Sequence, residues 1–112
     1  MAANVISIDV IREKIISIFN DYPVEKAILF GSYAKGKAKI TSDIDLFIDT
    51  NGKLRGLDFV GLLEILVTTL EMKVDLFDKT HIEEDSPIMK EIEDKGIVIY
   101  ERSKDYVRNF NL

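Results

Sequence analysis

The chain has 112 residues, with 15 basic against 20 acidic side chains for a net charge of −5, and 46% hydrophobic residues, a composition that suits one folded domain with a single core. It contains no cysteine, which excludes a disulfide framework, a Cys-ligated zinc, an iron–sulfur cluster and a cysteine nucleophile, so any metal must sit on oxygen or on His81. The acidic balance argues against holding nucleic acid by neutralising phosphates, and the short apolar runs and plain start at Met1-Ala2-Ala3-Asn4 predict a cytoplasmic protein with no membrane span.

Ile8, Ile11, Ile15, Ile18 and Phe19 recur at three- and four-residue steps, with Arg12, Glu13 and Lys14 on the other face. This predicts an amphipathic helix over 7–21, capped by Ser7 or Asp9 and stopped by Pro23. Val24 to Phe30 is an apolar, β-branched run closed by Gly31, which suits a buried strand. Residues 33–42 leave room for at most a short helical turn before a second strand over 43–49, where polar and apolar side chains alternate. Asn51-Gly52 makes a turn, and helical spacing returns over 57–71 through Phe59, Leu62, Leu63, Leu66, Val67 and Leu70. Lys73 to Phe77 forms a third strand. Ser86 then Pro87 is an N-cap with proline at the first helical position, and Gly96 is a stop, so 87–95 is a short helix followed by a strand over 97–100. The polar tail, 102–112, carries Tyr106 and Phe110 on its apolar side and is set apart from a domain of 1–101 as a segment that frays or docks on a partner. The order α-β-β-α-β-α-β predicts an α+β fold, an α/β sandwich in which helices flank a small mixed sheet of about four strands.

Asp43 and Asp45 leave the same face of the second strand, about 6.6 Å apart at about 3.3 Å per residue, while Ile44, Leu46 and Ile48 take the core face. Asp75 repeats the pattern between Val74 and Leu76. If the two strands are neighbours, three carboxylates converge, and their mutual repulsion is what an oxygen-seeking divalent cation would offset. Two such ions suit in-line phosphoryl or nucleotidyl transfer. The plainer reading is that alternating aspartates mark the solvent face of a strand, and Asp49 fits that reading best.

Gly31-Ser32, after a buried strand, offers backbone N–H groups and a hydroxyl to a phosphate, or is an ordinary strand-ending turn. Gly31 to Ala38 nearly spells a P-loop but fails it, because Ala38 replaces the hydroxyl that would hold Mg²⁺ and no long helix has room to follow. Lys35, Lys37 and Lys39 form a basic loop able to steer a triphosphate toward the carboxylates, or simply a solvated one. Tyr33 either stacks on a base or packs, with packing the expectation, and His81 is expected to be exposed rather than a ligand or base.

Taken together, Phe30-Gly31-Ser32-Tyr33-Ala34-Lys35-Gly36 and, five residues on, Ser42-Asp43-Ile44-Asp45-Leu46 resemble the signature of the DNA polymerase beta-type nucleotidyltransferase superfamily, in its minimal nucleotidyltransferase branch. The resemblance spans nearly the whole chain. It implies that fold, and an enzyme that transfers a nucleoside monophosphate, AMP from ATP, to a hydroxyl acceptor with two Mg²⁺ ions, or Mn²⁺ in their place. It implies Gly31, Ser32, Lys35 and Ser42 as nucleotide-binding residues, and Asp43, Asp45 and Asp75 as metal-binding and catalytic ones. Lys35 departs from the arginine common in the family and lacks the planar fork that grips phosphate bidentately. At 112 residues the chain is expected to lack an added domain that would build an acceptor pocket or nucleic-acid groove. By resemblance, the acceptor is a tyrosine on a small helical HEPN-type toxin that the chain neutralises as antitoxin within a hetero-oligomer. The alternatives are a non-catalytic antitoxin that acts by contact, and a nucleotidyltransferase for small molecules of the aminoglycoside type.

Overall fold

A computed structural model describes residues 5–102, and its elements follow the predicted order with ends that differ by at most two residues. Helix α1 spans Ile8–Asn20, and of its two candidate caps Ser7 serves, its hydroxyl accepting from the Val10 N–H at 3.1 Å. Strands β1 (Lys26–Phe30) and β2 (Ile44–Asp49) precede helix α2 (Leu57–Leu70) and strand β3 (Val74–Asp78). Helix α3 (Pro87–Lys95), capped by Ser86, and strand β4 (Ile97–Glu101) complete the described fold.

The sheet order is β3-β2-β1-β4, with β1 antiparallel to β2 and β4 and β2 parallel to β3. A parallel pair needs a crossover, which α2 supplies, and this lays α2 beside α1 on one face of the sheet. There Ile11, Ile15 and Phe19 of α1 meet Leu62, Leu66 and Leu70 of α2 over Ile44, Leu46 and Ile48. The opposite face, which carries Asp45, is solvent-facing only in part. Helix α3 crosses it and buries Phe30, Phe47 and Ile92 in a second, smaller cluster against Ile28 and Phe77.

Two features add to the predicted elements. A single 3₁₀ turn, Lys79–His81, follows β3, capped by Asp78, whose carboxylate accepts from Thr80 N at 2.9 Å and from the Thr50 hydroxyl at 2.7 Å. Burial alone would raise the Asp78 pKa, but the hydrogen bonds from Thr80 and Thr50 outweigh it and hold the carboxyl below its ordinary value. His81 is exposed, as expected, accepts from the Asp78 N–H at 3.1 Å and meets Phe59 edge-on, so its work is structural.

The second feature is Arg102, the first residue of the expected tail. Its guanidinium donates to the carbonyls of Phe19 at 2.9 Å, Tyr22 at 2.6 Å and Val24 at 3.0 Å, and so closes the C-terminal end of α1. Tyr106 and Phe110 lie outside the described residues. No helix among the described residues is long and apolar enough to cross a membrane.

Candidate active site

The site forms at the end of the sheet where β1 stops and β2 and β3 begin. Beyond Phe30 the chain turns through 31–36, with Lys35 N–H donating to Gly31 O at 3.1 Å and Lys37 N–H to Ser32 O at 2.9 Å. Gly31, at φ +73°, sits where only glycine is relaxed, and a Cβ there would land on the Asp45 carboxylate. The loop backbone is thus laid directly against Asp45. Tyr33 anchors it from behind: it is 4% exposed in the main core, its hydroxyl lies 3.8 Å from Met72 Sδ, and burial raises its pKa. The packing expectation therefore holds for Tyr33.

The β2–β3 register sets Asp45 directly opposite Asp75, on the face shared by Phe47 and Phe77. Asp45 is half-buried and its pKa is pushed up to about 6, first by burial, then by the charge and hydrogen bonding of Asp75, and further by Asp43 and Glu91. Asp43, just before β2, lies 3.8 Å from Lys73 Nζ. Ser42 accepts from Lys39 N–H at 2.8 Å and closes the 39–42 turn, so its hydroxyl is already engaged by the loop. Lys35 reaches Glu91 of α3, Nζ to Oε2 3.4 Å.

The predicted residues therefore gather at one end of the sheet, with Gly31, Asp45 and Asp75 packed most closely. Glu91 was not foreseen. Its signal was present only as α3 periodicity: Ile88 and Ile92 bury one stripe, and Glu91 and Lys95, one turn apart, flank it. What could not be read was that this helix crosses the carboxylate face. Among the described residues, no three His, Asp or Glu side chains already stand close enough to hold a metal ion. The donor set nevertheless suits a hard divalent cation, being all carboxylate oxygen, with one member raised to about 6 by burial and like charges that a cation would relieve.

Residues 13–105 match the family Polymerase beta, Nucleotidyltransferase. A candidate protein adenylyltransferase of Methanocaldococcus jannaschii is 35% identical over 74 residues, covering 66% of this chain and 86% of its own length. Among solved structures, a toxin–antitoxin with AMP-PNP superposes at a TM-score of 0.71 and 24% identity, covering 89% of this chain and 84% of the other. A complex of a tri-AMPylated Shewanella oneidensis HEPN toxin with an MNT antitoxin gives 0.66 and 21%, covering 90% and 78%. At these identities the likeness shows the fold alone.

Proposed function

The chain belongs to the polymerase beta nucleotidyltransferase family and is a nucleotidyltransferase, and on that premise we propose that it moves AMP from ATP to a hydroxyl group of a partner protein, with Asp43, Asp45 and Asp75 as its catalytic centre. The observation that carries this reading is the pairing of Asp45 with Asp75 across a parallel ladder, directly against the Gly31 backbone. Phosphate at Gly31-Ser32 would lie beside those carboxylates, with Lys35 on the same loop. Transfer forms a bond from the acceptor oxygen to the α-phosphorus, breaks the bond to pyrophosphate and releases the hydroxyl proton. Asp43, Asp45 and Asp75 would hold Mg²⁺ or Mn²⁺. A divalent cation bound there supplies neutralising charge and lowers the pKa of a hydroxyl that it touches. The chain's own residues do the rest: Gly31 lets the loop backbone lie against Asp45, Tyr33 anchors the loop from the core side, and α3 packs on the sheet face that carries Asp45.

The name of the Methanocaldococcus relative supports a protein acceptor. The AMPylated HEPN toxin in the neighbouring complex supports a HEPN toxin as that acceptor, with this chain as its antitoxin in a hetero-oligomer; tyrosine as the modified residue, a small helical toxin and a cytoplasmic setting are carried by the sequence reading alone. The test is intact-mass analysis of a HEPN-type toxin partner after incubation with the protein, ATP and Mg²⁺. An adenylyl mass increment on the toxin is expected with the wild type and absent with Asp45→Asn, with tyrosine found by peptide mapping. Tight binding without an increment, under any of the four nucleotides, would overturn the enzymatic reading.

A further inference from the structure

Helix α2 is apolar on its outer face as well as its inner one. Leu62, Leu66 and Leu70 form the buried stripe, yet of the 14 residues only Asp58 and Glu64 are charged, and Leu57, Val60, Ile65 and Val67 are all exposed, Leu57 at 87%. Helix α1 beside it carries four charges, Asp9, Arg12, Glu13 and Lys14, on 13 residues. A helix that is apolar all round is the kind that is covered on every side. Leu57, Val60, Glu64 and Val67 follow one another at steps of three, four and three, the spacing of a seam between two helices. Gly61 adjoins that seam, and no atom lies within 4 Å of where its Cβ would stand, which leaves room for a side chain from outside. Charges of opposite sign frame the seam. Arg55 stands just ahead of α2, its Nε donating to Gly52 O at 3.0 Å, and Glu64 lies about two turns into the helix. Among the described residues neither has an ion-pair partner.

We propose that the outer face of α2 binds a second copy of this chain, as a two-fold dimer with the two helices antiparallel and the axis beside Val60 and Gly61. The midpoint between Arg55 and Glu64 falls there, so the two-fold brings Arg55 of each copy to Glu64 of the other, twice over, as an interface made of one self-complementary surface requires. Val60 then lies over Gly61 of the second copy, and Leu57 against the turn that carries its Glu64. Affinity comes from the apolar side chains, and the exposed charge pairs fix orientation and register. The carboxylates Asp45 and Asp75 lie on the other face of the sheet, the one α3 crosses, so both sites of the dimer stay open.

Sedimentation velocity of the full-length protein, from micromolar to sub-millimolar concentration, reads the dimer. The wild type is expected to pass from monomer to dimer as concentration rises. Leu57→Asp places a carboxylate at an exposed position in the first helical turn, where the fold tolerates it, and is expected to weaken the dimer at least tenfold. Glu64→Arg is expected to weaken it about fivefold, and Arg55→Glu/Glu64→Arg to return it to within twofold of the wild type. Thermal melts of the dilute variants verify their fold. A wild type that stays monomeric throughout overturns the proposal, whether residues 103–112 or another protein takes the face instead. A dimer that Leu57→Asp leaves within twofold of the wild type is seated elsewhere and overturns it as well. Failure of the double exchange to recover what Glu64→Arg loses overturns the antiparallel register. No nucleotide enters these measurements, so they stand or fall apart from the transfer reaction.

Discussion

Asp45 carries a cost that the fold bears for the sake of its site. Its pKa is about 6 in the folded chain against a model-peptide value of 3.8, so between those values the folded state holds a proton that the unfolded state has released. Stability from this group therefore falls as pH rises through that window, and above it charged Asp45 costs about 1–2 kcal/mol, discounted for the part of the group that solvent screens. Asp78 works with the opposite sign: its lowered pKa contributes stability above the ordinary carboxylate range that is lost as pH falls through the folded value. Only a difference measurement separates the two. Asp45→Asn is expected to be more stable than the wild type in urea at about pH 7.5, with the gain vanishing near pH 4, and to lose transfer activity throughout. A gain that persists at pH 4 would mean that the amide improves packing rather than relieving charge.

At the scale of elements, Arg102 does what no residue of α1 itself does, since the last turn of α1 has no basic side chain. Its guanidinium gathers the carbonyls of Phe19, Tyr22 and Val24, which ties β4, α1 and the start of β1 into one corner. Arg102→Ala leaves those acceptors without this donor and is expected to cost about 1.5–4.5 kcal/mol, at about 0.5–1.5 kcal/mol for each of the three hydrogen bonds, toward the low end because Arg102 is exposed and water can replace it. Urea unfolding reads that loss, and transfer activity measured well below the melting temperature should remain. Such a role is invisible in the sequence, where Arg102 is the first of a run of polar residues, because it depends on a partner element some eighty positions away. The elements themselves were legible for the opposite reason. Ser7, Pro23, Ser86-Pro87 and Gly96 punctuate locally, and the three- to four-residue periodicity of α1 and α2 is set by a single buried face. The site was legible as far as strand alternation carries it. Asp45 and Asp75 could be assigned to one face, but their direct opposition depends on register, and the contribution of Glu91 depends on where α3 lies.

The molecule as a whole is built asymmetrically about its sheet. Among the described residues, seventeen buried side chains form the main core on the α1–α2 face, whereas α3 is held by a cluster of three, Phe30, Phe47 and Ile92, with partly buried neighbours around it. Opening α3 alone therefore exposes far less apolar surface than global unfolding, and local opening is governed by that smaller term. Amide hydrogen exchange is expected to show α3 exchanging well before α2 and β2, whose protection follows the global stability. Ile92→Ala removes the one fully enclosed anchor of α3 and costs about 2–4 kcal/mol, most of it in the α3 opening equilibrium, so exchange should accelerate in α3 far more than in α2. The same helix carries Glu91, which acts on Asp45 and pairs with Lys35, so a ligand seated at the carboxylates and the loop is expected to hold α3 down. A non-hydrolysable ATP analogue with Mg²⁺ should then slow α3 exchange selectively, by as much as its binding favours the closed helix. Uniform protection across α2 and α3 would instead mean that the two faces of the sheet open together, and that the weaker cluster is not the hinge on which the site turns.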